Sequence, residues 1–177
     1  MKKKSFKDIF ETEGWLYKTI SDPYQVFAEA FSTADMDFLR GFIKKILHYA
    51  EANEIFLQKS PCDVLLFMRV ILSLIKAADS LKQIKNGPVI VSEEDAFNKK
   101  YYCIHNLSSG QWADFPRFLS VKEFCNPYKV FKKFFKYQEC GAWVHDLEEA
   151  VDCALSRNTG ELGLEMLAIY SHLVKLI

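Results

Sequence analysis

Four lysines lie along one face of a predicted helix that begins at Pro127. They are spaced at i, i+3, i+4 and i+7, which places them on one side of an α-helix. A stripe of lysines edged by the tyrosines Tyr128 and Tyr137 is a pattern that can bind the phosphates of a nucleic acid or an anionic surface. The four candidate residues are Lys129, Lys132, Lys133 and Lys136.

Two properties of the chain weigh against a main role in nucleic-acid binding. The chain has 23 Lys and Arg residues and 23 Asp and Glu residues, so it has no net field that would attract a polyanion. The next predicted helix carries Glu148, Glu149 and Asp152 at similar spacing, and these acids could neutralise the lysines. We therefore treat nucleic-acid association as an alternative function.

Aromatic residues concentrate in a segment that lacks a helical pattern, residues 87–120. Large aromatic side chains in a loop are typical of surfaces that contact another protein. We take these residues as candidate binding residues for a protein partner. They are Tyr101, Tyr102, Trp112 and Phe115.

The cysteines and histidines form no recognisable catalytic or metal-binding pattern. Cys103, His105 and Cys125 lack the paired Cys-x-x-Cys spacing of zinc sites. The sequence also lacks a Gly-x-Ser-x-Gly motif, a glycine-rich phosphate loop and a dinucleotide fingerprint. We expect no catalytic residue, no metal and no cofactor, although a small helical enzyme that uses His105 or His145 stays an alternative.

Two similar decapeptides provide helix starts around which the rest of the chain is arranged. Residues 22–31 read DPYQVFAEAF, and residues 126–135, which follow 104 positions later, read NPYKVFKKFF. In each, Asp22 or Asn126 can cap the helix, and the proline suits the first helical position. Apolar residues then recur at helical spacing. The sequence therefore predicts the same kind of amphipathic helix twice.

The helix signals predict an all-α, single-domain bundle of about six to eight helices over residues 1–177. A helix from Pro61 to Asn86 is apolar nearly all round and is predicted to lie at the centre. In the helix after the first decapeptide, Phe38 is assigned to the apolar face and Arg40 to the outside. We infer a duplicated three-helix unit: residues 21–86, an irregular or β-ribbon insertion at 87–120, and residues 121–177.

The composition indicates a protein without a membrane segment. The longest apolar run, Val64 to Ile75, contains Arg69 and is shorter than the roughly twenty residues that cross a bilayer. Five cysteines, mostly in helical and apolar surroundings, favour reduced thiols and a cytoplasmic location. A last helix from Leu162 to Ile177 could serve as a homodimer contact. Our main hypothesis is a non-enzymatic binding or adaptor module for another protein.

Overall fold

Seven helices account for most of the residues that the computed structural model describes, which are 22–52, 54–57, 61–85, 87–95, 118–156 and 163–177. The helices are α1 (Pro23–Thr33), α2 (Met36–Ala52), α3 (Pro61–Leu81), α4 (Val121–Phe124), α5 (Pro127–Tyr137), α6 (Cys140–Leu155) and α7 (Met166–Leu176). These ranges contain no strand, and the predicted all-α bundle is confirmed. No helix within them combines the length and the apolar character needed to cross a bilayer.

Prolines and capping side chains set the starts of the first two helices. Asp22 caps α1, because its Oδ1 accepts a hydrogen bond of 2.9 Å from the Tyr24 N–H. Asp35 caps α2 in the same way, with a distance of 2.6 Å between its Oδ1 and the nitrogen of Phe38. These bonds satisfy N–H groups that the first turn of a helix leaves without a partner.

The second decapeptide begins its helix differently from the prediction. Asn126 precedes α5 but makes no side-chain capping bond, and its Oδ1 is buried without a hydrogen-bond partner in the described part of the chain. Its N–H donates instead to the Glu123 carbonyl at 3.2 Å, because α5 follows directly on the short helix α4. The backbone of Asn126 is thereby held in the turn that ends α4.

Helix α3 lies at the centre of the bundle and contacts α1, α2, α5 and α6. An exception to its burial is Leu65, which is 53% exposed. The most extensive helix pair is α2 with α6. The buried side chains of α3 are Val64, Met68, Val70, Ile71, Leu72, Leu74, Ile75, Ala77, Ala78 and Leu81.

The central helix is shorter than predicted. It ends at Leu81 and does not continue to Asn86, because the chain tightens into turns there. The Lys82 N–H donates to the Asp79 carbonyl, and the Ile84 N–H donates to the Leu81 carbonyl. These turns take the chain off the helix axis and bring Ile84 against the core.

Two further boundaries differ from the sequence prediction. Helix α7 begins at Met166 and not at Leu162, which lies outside the described residues. Phe38 does not belong to the buried face of α2, since it is 44% exposed. Its ring contacts that of Phe67, with 4.6 Å between the ring centroids.

Residues 87–95 cross the start of α5 without forming a strand. The Val91 N–H donates to the Cys125 carbonyl at 3.0 Å, and the Ile90 N–H donates to the Gly87 carbonyl. A Cβ on Gly87 would overlap the ring of Tyr128, so the close approach of the two segments requires glycine. The β-ribbon considered for this segment is absent from residues 87–95, and residues 96–117 lie outside the described part.

Corresponding residues of the two decapeptides meet each other. The hydroxyl oxygens of Tyr24 and Tyr128 lie 2.8 Å apart, and the rings of Phe27 and Phe131 stack with centroids 5.5 Å apart. Each pair joins residues 104 positions apart. This pairing is what a pseudo-two-fold arrangement would produce, and it supports the duplicated three-helix unit, which stays a prediction.

Candidate functional site

An apolar pocket of about 370 Å³ lies where α1, α2, α4, α5 and the end of α7 come together. Its volume falls within the range of about 300–1,000 Å³ that is usual for ligand pockets. The residues that line it are Tyr24, Phe27, Phe31, Met36, Arg40, Leu81, Val89, Leu119, Glu123, Phe124, Pro127, Val130, Phe131, Lys175, Leu176 and Ile177.

The two decapeptide helices build one wall of this pocket. Phe27 from α1 stacks on Phe131 from α5, and Tyr24 is held by its hydrogen bond to Tyr128. Val130 of α5 is buried and lines the same wall. Because these side chains pack against one another, the wall is formed before any ligand binds.

Large apolar side chains at the mouth of the pocket remain open to water. Phe31 is 37% exposed, Met36 46%, Val89 44% and Phe118 46%. The first three line the pocket, and the Phe118 ring lies against Arg40, which also lines it. We call these four side chains the apolar rim. Exposed apolar side chains beside an apolar pocket are a feature of binding sites.

Arg40 lies inside this pocket, whereas the sequence had placed it on the outer face of α2. Its side chain is only 13% exposed, and its buried Nε has no hydrogen-bond partner among the described residues. Its Nη1 is 3.8 Å from Oδ1 of Asp37, whose own side chain is 98% exposed. The guanidinium carbon lies 5.3 Å from the centre of the Phe118 ring. Arg40 is thus a largely buried cation whose ion pair with the exposed Asp37 is long, at 3.8 Å.

The surroundings of Arg40 also affect its protonation. Burial lowers the pKa of the Arg40 guanidinium, and the charge of Asp37 and the phenol of Tyr170 oppose that change only in part. A buried donor that lacks a partner costs about 1–3 kcal/mol, and more when it is charged. An anionic group that reached Arg40 would remove this cost.

Glu123 is the acidic residue of the pocket, and its carboxylate is already bound. Its Oε2 accepts hydrogen bonds from the N–H and the Oγ of Ser120 at 2.9 Å and 2.7 Å, and its Oε1 pairs with Lys133 Nζ at 2.7 Å. Burial alone would raise the pKa of the Glu123 carboxyl, but the bonds from Lys133 and Ser120 outweigh it and lower that pKa to about 2. The reciprocal bond predicted between Ser120 and Glu123 is therefore present.

The charges that remain available in the pocket are positive. Glu123 is held by Lys133 and Ser120, whereas Arg40 has only a long ion pair with the exposed Asp37 among the described residues, and Lys175 is exposed at the same pocket. The arrangement suits a group with an apolar body and an attached anion.

The four lysines of the predicted stripe are all exposed, as the helical spacing indicates. Lys133 is bound to Glu123, whereas the other three make no ion pair with a described residue. Tyr128 does not edge the stripe, because it is buried against the core. No ion pair connects the stripe with the acidic residues of α6 in the described ranges.

Two of these lysines line a second cleft of about 580 Å³. Lys132 and Lys136 meet Lys82 there, which pairs with Asp79 and lies over the Phe135 ring, with 5.0 Å from its Nζ to the ring centre. Glu139 lines the same cleft, so its cations and anions are mixed.

The four aromatic candidates, Tyr101, Tyr102, Trp112 and Phe115, lie outside the described residues, and so does His105.

His145 is exposed and lines neither cavity. No group of three or more His, Cys, Asp or Glu side chains suited to a metal occurs in the part that is described.

Sequence reasoning missed Arg40 as a site residue, although a signal was present. The position 104 residues after Arg40 holds Val144 of α6, which packs against the hydrophobic core of the bundle. A comparison of the two helices at that offset shows a charge where the other copy has an apolar residue. Phe31 and Met36 carry no such signal, because their exposure depends on how the helices pack.

Comparisons with known proteins do not identify this site. No family model, curated protein sequence or solved structure matches the chain. The functional inference therefore depends on the geometry of the pocket.

Proposed function

We propose that this chain is a non-enzymatic binding module that recognises another protein by taking one of its bulky apolar side chains into the pocket of about 370 Å³. The observation that supports this function best is the apolar rim of Phe31, Met36, Val89 and Phe118 around the mouth. Interfaces commonly place an anchor side chain in such a pocket and surround it with a ring of contacts that excludes water.

A protein partner accounts for the rim better than a small molecule does. A small ligand would occupy the pocket and leave the rim side chains in water, whereas a protein surface would cover both. A cytoplasmic partner belongs to the same proposal, since Cys62, Cys125 and Cys140 are free thiols.

A random peptide library displayed on phage tests this function and does not require the natural partner to be identified. We expect enrichment of peptides that share a bulky apolar residue, and we expect Met36→Asp and Phe118→Asp to weaken the selected peptides by at least about ten-fold, since each places a charge on the rim. Leu57→Asp is the matched control, because Leu57 is 88% exposed and lines neither cavity. Titration calorimetry measures the affinities.

Two results would contradict the function. One is the absence of any peptide whose binding depends on Met36 and Phe118. The other is self-association, measured by sedimentation equilibrium, that disappears in the Met36→Asp variant. That result would assign the pocket to a second copy of the chain.

The aromatic candidates of the loop extend the same proposal. Changing Trp112 and Phe115 together to Ala is expected to weaken partner binding with little change in the midpoint of thermal unfolding, and Tyr101 and Tyr102 can be tested in the same way. A collapse of the unfolding midpoint would instead assign these side chains to the core.

A second candidate function is nucleic-acid association through the lysine stripe. The observation that favours it is that Lys129, Lys132 and Lys136 are exposed and make no ion pair with a described residue. It predicts salt-dependent binding of a fluorescent oligonucleotide that weakens when Lys132 and Lys136 become Glu. Lys45→Glu is the control on an exposed position of α2. No change in anisotropy at low salt would end this candidate.

A further inference from the structure

Arg40 brings a buried hydrogen-bond donor into the pocket. The position 104 residues later, in α6, is Val144, a partly buried apolar residue. At Arg40, in contrast, α2 has a guanidinium whose Nε–H is buried without a partner in the described chain. A buried polar group left without a hydrogen bond in a folded protein calls for an explanation, such as a ligand that completes it.

We propose that Arg40 selects the partner by binding a carboxylate next to the inserted apolar side chain. This inference rests on the proposed function and adds the chemistry of the partner: an Asp or Glu adjacent to the bulky apolar anchor. The Nε–H and a terminal N–H of arginine form a planar edge that matches the two oxygens of a carboxylate.

The neighbours of Arg40 make no hydrogen bond to its Nε–H, and the side chain must turn toward the pocket that it lines for a carboxylate to reach this buried group. Phe118 makes a cation–π contact with the guanidinium, at 5.3 Å from the guanidinium carbon to the ring centre, and this contact forms no hydrogen bond. Asp37 is too far from Nη1, at 3.8 Å, for a hydrogen bond, and its side chain is almost fully in water.

The charge of the pocket favours an acidic partner over a basic one. Glu123, the acid that lines it, is neutralised by Lys133 and Ser120. Lys175, exposed on the same lining, adds a second cation near the chain end. A basic residue beside the anchor would therefore be repelled by two positive charges, whereas an acidic residue would be attracted by both.

The test uses the peptides selected by the unmodified protein. We expect them to share an Asp or Glu beside the bulky apolar residue. In the tightest peptide, replacing that acid by its amide should weaken binding by about ten-fold or more, because a charge-assisted hydrogen bond is lost. The same replacement should change binding to Arg40→Met by less than about two-fold. Lys45→Met, which removes an exposed charge from the same helix, should retain the full effect.

The Arg40→Lys variant and a salt series keep the test decisive if Arg40→Met does not fold. Lysine keeps the charge but loses the planar edge, so we expect an intermediate loss for the acidic peptide. With the unmodified protein, the advantage of the acidic peptide over its amide should shrink as salt is raised.

The outcomes separate this inference from the function on which it rests. Selected peptides with an apolar anchor but no acidic preference, or with an acidic preference that survives in Arg40→Met, would overturn the role of Arg40 and leave the pocket as the binding site. Failure to select any peptide that depends on Met36 and Phe118 would overturn the proposed function, and this inference with it.

Discussion

The first two helices of the chain, α1 and α2, and their counterparts α5 and α6 share a packing pattern but differ in what they present to the pocket. Helices α1 and α5 are each 11 residues long, and each begins with Pro-Tyr. Leu39 in α2 and Trp143 in α6 stand 104 positions apart, and both are fully buried. The differences lie elsewhere: Arg40 corresponds to Val144, and only one of the two caps is made.

This contrast separates the scaffold from the site. Leu39 and Trp143 belong to the core in both pairs of helices, whereas Arg40, which lines the pocket, has an apolar counterpart in Val144. If the charge at Arg40 serves the proposed binding and not folding, replacing it with an apolar residue should not destabilise the protein. Four sets of variants test this comparison, and they follow in order of decreasing expected effect on stability.

Truncating either of the fully buried residues Trp143 and Leu39 should destabilise the protein, with the larger loss at Trp143. Trp143→Ala is expected to lower the free energy of unfolding by about 3–5 kcal/mol, because Trp143 is fully buried and stacks on Phe134 at 4.1 Å. Leu39→Ala should cost about 2–5 kcal/mol. Urea denaturation measures both. A loss below about 1 kcal/mol at either position would show that the two helices do not share a core role.

Substitutions at Val144 and at Arg40 should change the free energy of unfolding in opposite directions. Val144→Arg is expected to cost about 1–3 kcal/mol, because it replaces an apolar residue that packs against the core with a cation. Arg40→Met should raise the free energy of unfolding by about 1 kcal/mol, because it removes the unpartnered Nε–H and keeps the apolar stem. A marked loss of stability in Arg40→Met would make Arg40 part of the scaffold.

Glu123, which lies in α4 and has no described counterpart before α1, should make the stability of the protein depend on pH. Its pKa is about 2 in the folded protein, below the ordinary value of 4.5. Its contribution is therefore fully present above about pH 4.5 and is lost as the pH falls through about 2. Because Lys133 is 67% exposed, we expect only about 1 kcal/mol. The difference in unfolding free energy between the unmodified protein and Glu123→Gln should shrink over this range, and a difference independent of pH would contradict the assignment.

The smallest expected effects on stability are those of removing the side chains of Asp22 and Asn126. Asp22→Ala is expected to cost about 1 kcal/mol, since it removes the hydrogen bond from the Tyr24 N–H. Asn126→Ala should cost nothing or slightly raise the free energy of unfolding, because Asn126 makes no capping bond and its Oδ1 is buried without a partner in the described part of the chain. Thermal unfolding of both variants provides the comparison, and equal losses would show that Asn126 caps α5 in solution.

Local sequence signals determined much of the fold. Pro23, Pro61 and Pro127 each mark the first residue of a helix, because proline fixes a helical φ angle and lacks an N–H that the first turn could not use. The apolar spacing identified the buried face of α2 and the central position of α3. These features depend on neighbours within a turn or two along the chain.

The features that could not be predicted depend on contacts between distant residues. Asn126 has the right type for a cap, but the preceding helix α4 determines where its backbone lies. Arg40 shares a helix face with the charged residues Asp37 and Lys44, yet the junction of α1, α2 and α4 encloses it. The apolar rim exists because the helices leave an opening there, and composition carries no signal of such an opening.

The central claim is that partner binding occurs in the apolar pocket beside Arg40. The most direct measurement is a methyl NMR titration of the protein with the selected acidic peptide. We predict shifts of the methyl groups that line the pocket, those of Met36, Val89, Leu119, Val130 and Leu176, and unchanged signals from the exposed methyl groups of Leu57, Leu65 and Leu167. Shifts confined to the second set, or spread evenly over both, would contradict the account.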